Sequence, residues 1–152
     1  MTVRVQTADF DLGAEINQLR QTRKDIGAVV SFVGLVRDLN DGDTVSQLTL
    51  EHYPGMTEKS LAAIIEQAKA RWRIIDALIV HRVGTLQPSD QIVLVIVTSA
   101  HRGDAFSACE FMMDYLKTEA PFWKKEANST GEHWVEAKSS DDAARDRWIE
   151  KE

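Results

Sequence analysis

The chain has little cysteine, proline or glycine: one, three and eight residues among 152. A lone Cys109 excludes an internal disulfide and a cysteine-rich zinc site, and the composition excludes collagen-like and low-complexity chains. No apolar run approaches the roughly 20 residues that span a bilayer, and the first residues lack a basic-then-apolar signal pattern. We therefore expect one domain over 1–152, in a reducing cytoplasm and not in a membrane.

Positive charge is also in deficit, with 18 Lys and Arg against 24 Asp and Glu and a net charge of −6. Such a chain is a poor general binder of nucleic acid, so we predict no nucleic-acid partner. An anionic substrate would need a local basic cluster. Phosphate-loop, dinucleotide and serine-nucleophile motifs are lacking, and the four histidines have no metal-ligand spacing. The sequence therefore predicts neither a metal nor a cofactor.

Hydrophobic patterning predicts the element order β-α-β-β-α-β-β-α-β-β-α. The main strands are expected at 28–36, 45–53, 74–83 and 91–99, and the last should be central because it is the most apolar run. Long helices are expected from Thr57, as N-cap, to about 73 and from 101 to 117. A turn at Asp41-Gly42 should join strands 28–36 and 45–53 as an antiparallel pair.

Shorter elements complete this prediction: strands at 3–6, 122–127 and 133–137, and helices at 11–24 and 141–151. The centre of the chain, from 28 to 118, then runs ββαββα. We predict an α+β fold that resembles an α/β hammerhead, with a mixed or antiparallel sheet and helices on one face. A doubly wound parallel fold is not expected.

The first candidate site follows the most apolar strand. Ser99 is predicted to cap the next helix and to place His101 and Arg102 in its first turn. There, unpaired N–H groups and the helix dipole favour anions, and arginine adds a planar fork that matches phosphate. The alternative is a solvated His-Arg pair on a surface turn, and the local pattern does not separate the two.

The second candidate site lies around the end of that helix. Lys117 is in its last turn, where a cation also simply complements the dipole. Lys124 and Lys125 lie in a strand beside Phe122 and Trp123. Adjacent strand residues point to opposite faces, so only one of these two lysines can join Lys117. A lysine among other cations and aromatic walls can act as an acid, a base or an amine nucleophile. Solvated surface lysines are the alternative.

Three single residues are of interest. Arg37 ends a strand, where ligand contacts are frequent, although it could instead pair with Asp38 or Asp41. His81 lies in a strand and is expected to be a satisfied, partly buried histidine. Cys109 lies on the apolar stripe of its helix and is expected to be an unreactive core thiol.

Several segments together resemble one family. They are Phe32-Val-Gly-Leu-Val-Arg37, Leu48-Thr-Leu-Glu-His-Tyr-Pro-Gly-Met56, His81-Arg-Val-Gly84, Thr98-Ser-Ala-His-Arg102 and Met113-Asp-Tyr-Leu-Lys-Thr-Glu-Ala-Pro-Phe-Trp-Lys-Lys-Glu126. The set, which runs in family order over about 27–138, resembles the large, catalytic subunit of molybdopterin synthase. The Lys-x-x-x-Pro-Phe-Trp-Lys block is its most specific part.

The resemblance implies a sulfurtransferase of molybdenum cofactor biosynthesis. Its substrate would be cyclic pyranopterin monophosphate, which receives two sulfurs to form the dithiolene of molybdopterin. The sulfur donor would be a small ubiquitin-like carrier subunit that ends in a Gly-Gly thiocarboxylate. The expected assembly is a homodimer of large subunits with one carrier at each end, a heterotetramer. The carrier tail would enter a pocket on the large subunit.

The resemblance also implies the site residues. Positions that match family contacts to substrate or tail are Arg37, His101, Arg102, Lys117 and Lys124. Positions that match flanking contacts in the same site are Leu35, Val36, Lys125 and Glu126. Both reactants are anions, so local positive charge would offset their repulsion. Lys138 stands where arginine is expected, and we assign it no role.

These matches give each residue an expected role. His101 and Arg102 would hold the phosphate, and Arg37 would orient the substrate or the tail. Lys117 would be the main catalytic residue, as acid or base or through a covalent link to the carrier. Lys124, also assigned to catalysis, would support it electrostatically.

A non-catalytic anion-binding or scaffold module with the same dimeric α+β fold is the alternative function. The enzyme and the scaffold differ in whether their basic side chains converge on one pocket. In an enzyme, the lysines and Arg102 should face one pocket, within one chain or across a dimer interface. In a scaffold, they could point to separate solvent faces.

Overall fold

Residues 2–40, 42–128, 130–135 and 139–149 are described by the structure, a computed structural model. Lys138, Asp41 and the predicted ends at 136–137 and 150–151 lie outside this description. The elements are β1 Thr2–Gln6, α1 Leu12–Arg20, β2 Ala28–Leu35, β3 Leu39–Asn40, β4 Asp43–His52, α2 Met56–Arg71, β5 Asp76–Arg82, β6 Gly84–Leu86, β7 Gln91–Ser99, α3 Arg102–Glu119, β8 Phe122–Asn128, β9 Gly131–Val135 and α4 Ser139–Asp146. The predicted order is confirmed, with short β3 and β6 as additions.

The first sheet has the strand order β1-β5-β7-β2. β1 runs parallel to β5, whereas β5–β7 and β2–β7 are antiparallel. β7 lies inside the sheet as predicted, and its residues 93–99 are all buried. The mixed α+β architecture is therefore confirmed.

Helices cover both faces of this sheet, so the expectation of helices on one face is wrong. On one face, Ile79, Val95 and Val97 pack with buried residues of α2 and α3. On the other, Leu94 and Ile96 join Phe10 and the apolar side of α1. The physical reason is that β5 and β7 are apolar at consecutive positions, so both faces of each strand need cover. Among the described residues, no helix is long and apolar enough to cross a membrane.

The second sheet has the order β3-β4-β8-β9, with β6 also paired to β4. The predicted pairing of strands 28–36 and 45–53 is therefore wrong, because β2 pairs with β7 instead. Val36 ends that pairing: its N–H donates to the Asp90 carbonyl, and its carbonyl accepts from the Ser89 N–H. The hairpin is shorter and joins β3 to β4, with Gly42 at φ +86° in its turn.

Both predicted helix caps are wrong. α2 begins at Met56 after Gly55, whose φ of +84° favours glycine and whose N–H donates to the Glu58 carboxylate at 2.6 Å. Thr57 is fully buried inside the helix. α3 begins at Arg102 and its N-cap is His101, without a side-chain cap bond. The Ser99 hydroxyl donates to the Arg73 carbonyl at 2.6 Å and accepts only a long hydrogen bond, 3.4 Å, from the N–H of the N-cap His101.

Candidate active site

A cavity of about 310 Å³ lies where the second sheet meets the end of α3 and the ends of β2 and β5. Its lining is contributed by elements from most of the chain. The lining residues are Leu35, Val36, Arg37, Leu39, Asn40, Val45, Leu48, His81, Ile92, Leu116, Lys117, Ala120, Phe122, Lys124, Glu126, Val135 and Asp141. Six of the nine predicted site positions are among them.

The pleat of β8 decides which of its side chains face the cavity. Phe122, Lys124 and Glu126 line it, as alternate residues of a strand must share one face. Lys125 faces the other way, where its Nζ lies 3.6 Å from the Glu132 carboxylate and 5.3 Å from the centroid of the Trp134 ring. Lys125 therefore does not join the predicted cluster, and Lys124 is the lysine that meets Lys117.

Lys117 reaches the cavity from the last turn of α3, which ends at Glu119 before Pro121. The connection to β8 is anchored by buried Thr57. Its hydroxyl accepts a hydrogen bond from the Tyr53 N–H at 3.0 Å and donates one to the Pro121 carbonyl at 3.0 Å. This pair of bonds fixes α2 to the segment between the two pocket lysines.

Arg37 reaches the cavity from the end of β2. Val36 is 5% exposed and is held on both sides by backbone bonds to the 87–90 loop. Leu35 is half exposed. The predicted group at 35–37 therefore lies at the cavity, on the side contributed by the first sheet.

His81 is a cavity residue that sequence reasoning did not include. It is 4% exposed at the end of β5, and its ring stacks on Phe122 at 3.8 Å with a 20° angle between the rings. Its Nδ1 lies 2.8 Å from the Arg82 carbonyl oxygen. Burial, together with the charges of Lys124 and Lys117, lowers the pKa of His81 to about 3, although the hydrogen bond with the Arg82 carbonyl acts in the opposite direction. The ring is therefore neutral at physiological pH.

The cavity lining contains charged side chains of both signs. Among the described residues of its lining, Arg37, Lys117 and Lys124 are cations, and Glu126 and Asp141 are carboxylates. The Glu126 carboxylate accepts a hydrogen bond from the Asn40 amide at 2.8 Å, which joins β3 to β8. The arrangement provides basic groups for anionic reactants inside a protein of net charge −6.

His101 and Arg102 lie away from this cavity. Both are exposed at the start of α3, whereas Lys117 is fifteen residues further along the same helix. At 1.5 Å per residue this separation is about 22 Å. One copy of the chain therefore does not bring them to the pocket lysines. Their predicted contact with substrate stays a prediction that needs a second copy.

Two further residues bear on chemistry. Cys109 is 4% exposed, and burial raises the pKa of its thiol to about 12, which agrees with an unreactive core thiol. Across the described parts of the chain, no group of three or more His, Cys, Asp or Glu could hold a metal ion.

Comparison with known proteins places this geometry in a family context. The family model described as "MoaE protein" matches residues 5–119. The molybdopterin synthase catalytic subunit of Ralstonia nicotianae is 65% identical over 97% of this chain and 84% of its own length. That of Pseudomonas aeruginosa is 55% identical over 99% of this chain and 100% of its own. The solved structure of the MoaE protein of Burkholderia ambifaria superposes with a TM-score of 0.84, at 59% identity over 98% of this chain and 99% of that one.

Proposed function

The chain belongs to the MoaE protein family, and from this premise we propose that its cavity is the active site of a molybdopterin synthase. The protein is then the catalytic subunit, a sulfurtransferase. It moves sulfur from the C-terminal thiocarboxylate of a small carrier subunit to cyclic pyranopterin monophosphate. A cytoplasmic location is part of the same proposal.

One observation carries this proposal: Lys117 and Lys124, from different elements, line the same cavity together with Arg37. A scaffold that only held anions would not need two lysines from different elements in one cavity. The reaction does, because the thiocarboxylate must come within bonding distance of a carbon of a substrate that carries a phosphate, and the two negative charges repel one another. Fixed cations offset that repulsion.

The residues divide the work of each transfer. Arg37 orients an anionic group at the cavity edge, since its planar fork matches a phosphate or a thiocarboxylate. Lys117 moves a proton at the reacting carbon or forms a covalent link to the carrier's terminal carbonyl. Lys124 stabilises the negative charge that develops. In each transfer a C–S bond forms on the substrate while a C–O bond at the same carbon breaks, and the departing oxygen takes up a proton. Water replaces sulfur on the carrier's carbonyl carbon, and two such transfers complete the dithiolene.

The proposal assigns His101 and Arg102 to the pocket of a second copy. Both side chains are exposed, and within the described residues neither makes an ion pair or a side-chain hydrogen bond. A homodimer that placed this helix start at the partner's cavity would complete the phosphate site. The heterotetramer then has one carrier tail entering each cavity.

Conversion of cyclic pyranopterin monophosphate by the purified protein and a thiocarboxylated carrier tests the function directly. Molybdopterin should form, and a carrier that ends in an ordinary carboxylate should yield none. Removal of the carrier's last two residues should abolish conversion while leaving much of the complex intact. Normal binding of both reactants by wild-type protein without any conversion would favour the scaffold function.

A further inference from the structure

The mechanism above gives no role to His81, a cavity residue whose two ring nitrogens differ in their surroundings. The Nδ1 atom of His81 faces the Arg82 carbonyl oxygen, which can only accept, so Nδ1 carries the hydrogen. In the neutral ring, Nε2 then holds a lone pair and is an acceptor. The tautomer is thus set by the strand's own backbone.

This Nε2 atom opens to the cavity. Among the described residues, His81 makes one side-chain hydrogen bond, through Nδ1. In the part of the chain that the structure describes, no fully buried side-chain nitrogen or oxygen lacks a partner. Nε2 therefore is not sealed in the core, although the residue is 4% exposed. Since His81 lines the cavity, the cavity is the space that reaches this atom.

The position of the ring is rigid. Stacking against Phe122 at 3.8 Å and the Nδ1 bond at 2.8 Å hold it from two sides. A rigid acceptor loses little conformational entropy on binding. Its lone pair repels anions, so it does not serve the phosphate or the thiocarboxylate. It fits an uncharged N–H donor, in a cavity whose other basic groups are cations.

We propose that His81 is a binding residue whose Nε2 accepts a hydrogen bond from an N–H group of a reactant. This inference rests on the proposed function and adds a recognition contact to it. Two reactants carry such groups: the ring N–H and amino groups of the pterin, and the backbone amides of the carrier's glycine tail. Both offer the same chemistry, and the test separates them.

Two substitutions test the roles of the two His81 nitrogens separately. His81→Asn can retain the donor to the Arg82 carbonyl but lacks an acceptor at the Nε2 position, whereas His81→Gln can place its amide oxygen there. We expect His81→Asn to raise one KM about 3- to 10-fold, the usual worth of one neutral hydrogen bond, with kcat changed less. His81→Gln should stay closer to wild type. His52→Asn, a nearby histidine outside the cavity lining, is the matched control.

The affected KM identifies the donor. A rise in the KM for the pterin assigns the bond to the heterocycle, and a rise in the KM for the thiocarboxylated carrier assigns it to the tail. Should His81→Asn not fold, nitrogen-15 NMR of the wild-type protein replaces it. The Nε2 resonance of His81 should move when cyclic pyranopterin monophosphate or the unmodified carrier is added to saturation.

Two results would overturn the inference. The first is wild-type conversion with both KM values unchanged in a folded His81→Asn protein. The second is an Nε2 resonance that neither reactant moves. Either one would leave the proposed function standing, because conversion by the wild-type protein is measured in the same series. A wild-type protein that converts nothing would overturn both proposals together.

Discussion

Lys124 and Lys125 are neighbours in sequence with opposite surroundings, and this makes them a matched pair. Lys124 is half-buried in the cavity lining, and its charge lowers the pKa of His81. Lys125 lies on the other face of β8, against Glu132 and Trp134. We predict that Lys124→Ala strongly lowers turnover and that Lys125→Ala does not.

The magnitude follows from the charge that is lost. A unit charge about 6 Å from a developing anion, at an effective dielectric constant of about 20, contributes about 3 kcal/mol. This corresponds to about a 10²-fold loss of kcat for Lys124→Ala. For Lys125→Ala, the loss of an exposed ion pair and a cation–π contact costs about 1 kcal/mol of stability or less, with no effect on the chemical step.

Single-turnover sulfur transfer measures this difference, with thermal melts of both variants to show that they are folded. Lys124→Arg is a useful third variant because it keeps the charge and should recover part of the rate. If Lys125→Ala lost as much turnover as Lys124→Ala, the assignment of faces in β8 would be refuted. Equal and small losses in both would refute the electrostatic role.

Four further predictions concern other parts of the molecule. Lys117→Ala should lower single-turnover transfer by about 10²–10⁴-fold with little change in pterin affinity, and near-normal transfer in a folded variant would contradict its catalytic role. Arg102→Ala should mainly weaken pterin binding, and Arg102→Lys should restore it in part. At a pterin concentration where Arg102→Ala and Lys117→Ala are each nearly inactive, mixing the two proteins should recover activity, because a mixed dimer has one pocket with both residues intact, and no recovery would contradict a shared site. Thr57→Val should lower the free energy of unfolding by about 1–3 kcal/mol, because two backbone groups lose their partner, and a denaturant titration that shows no loss would contradict the anchoring role. The pKa of His81 is about 3 in the folded protein and about 6.5 in the unfolded chain, so between these values the unfolded chain binds a proton that the folded protein does not. The free energy of unfolding should therefore decrease as the pH is lowered through this window, by about 2 kcal/mol at pH 5. Urea titrations at several pH values should show that His81→Gln removes this part of the decrease.

Local pattern was sufficient for much of the site. The alternation of a strand showed that only one of Lys124 and Lys125 could join Lys117, although not which one. Pro121 required α3 to end nearby, which placed Lys117 in a last turn. The apolar run at 91–99 predicted a strand inside the sheet, and it lies there. These features depend on backbone periodicity and on residues a few positions apart, so they can be read along the chain.

The sequence by itself therefore determined which residues share a strand face, where helices end and which basic residues are available. Only the tertiary structure decided that β2 pairs with β7 and not with β4, and that the ends of β2, β5 and α3 meet at one cavity. It also decided that the ring of His81 is buried with its Nε2 at the cavity, and that Arg102 lies at the far end of the helix from Lys117. The physical reason is that periodicity specifies the face of an element. The partner of that face is chosen by burial between segments far apart in sequence, which no local pattern records.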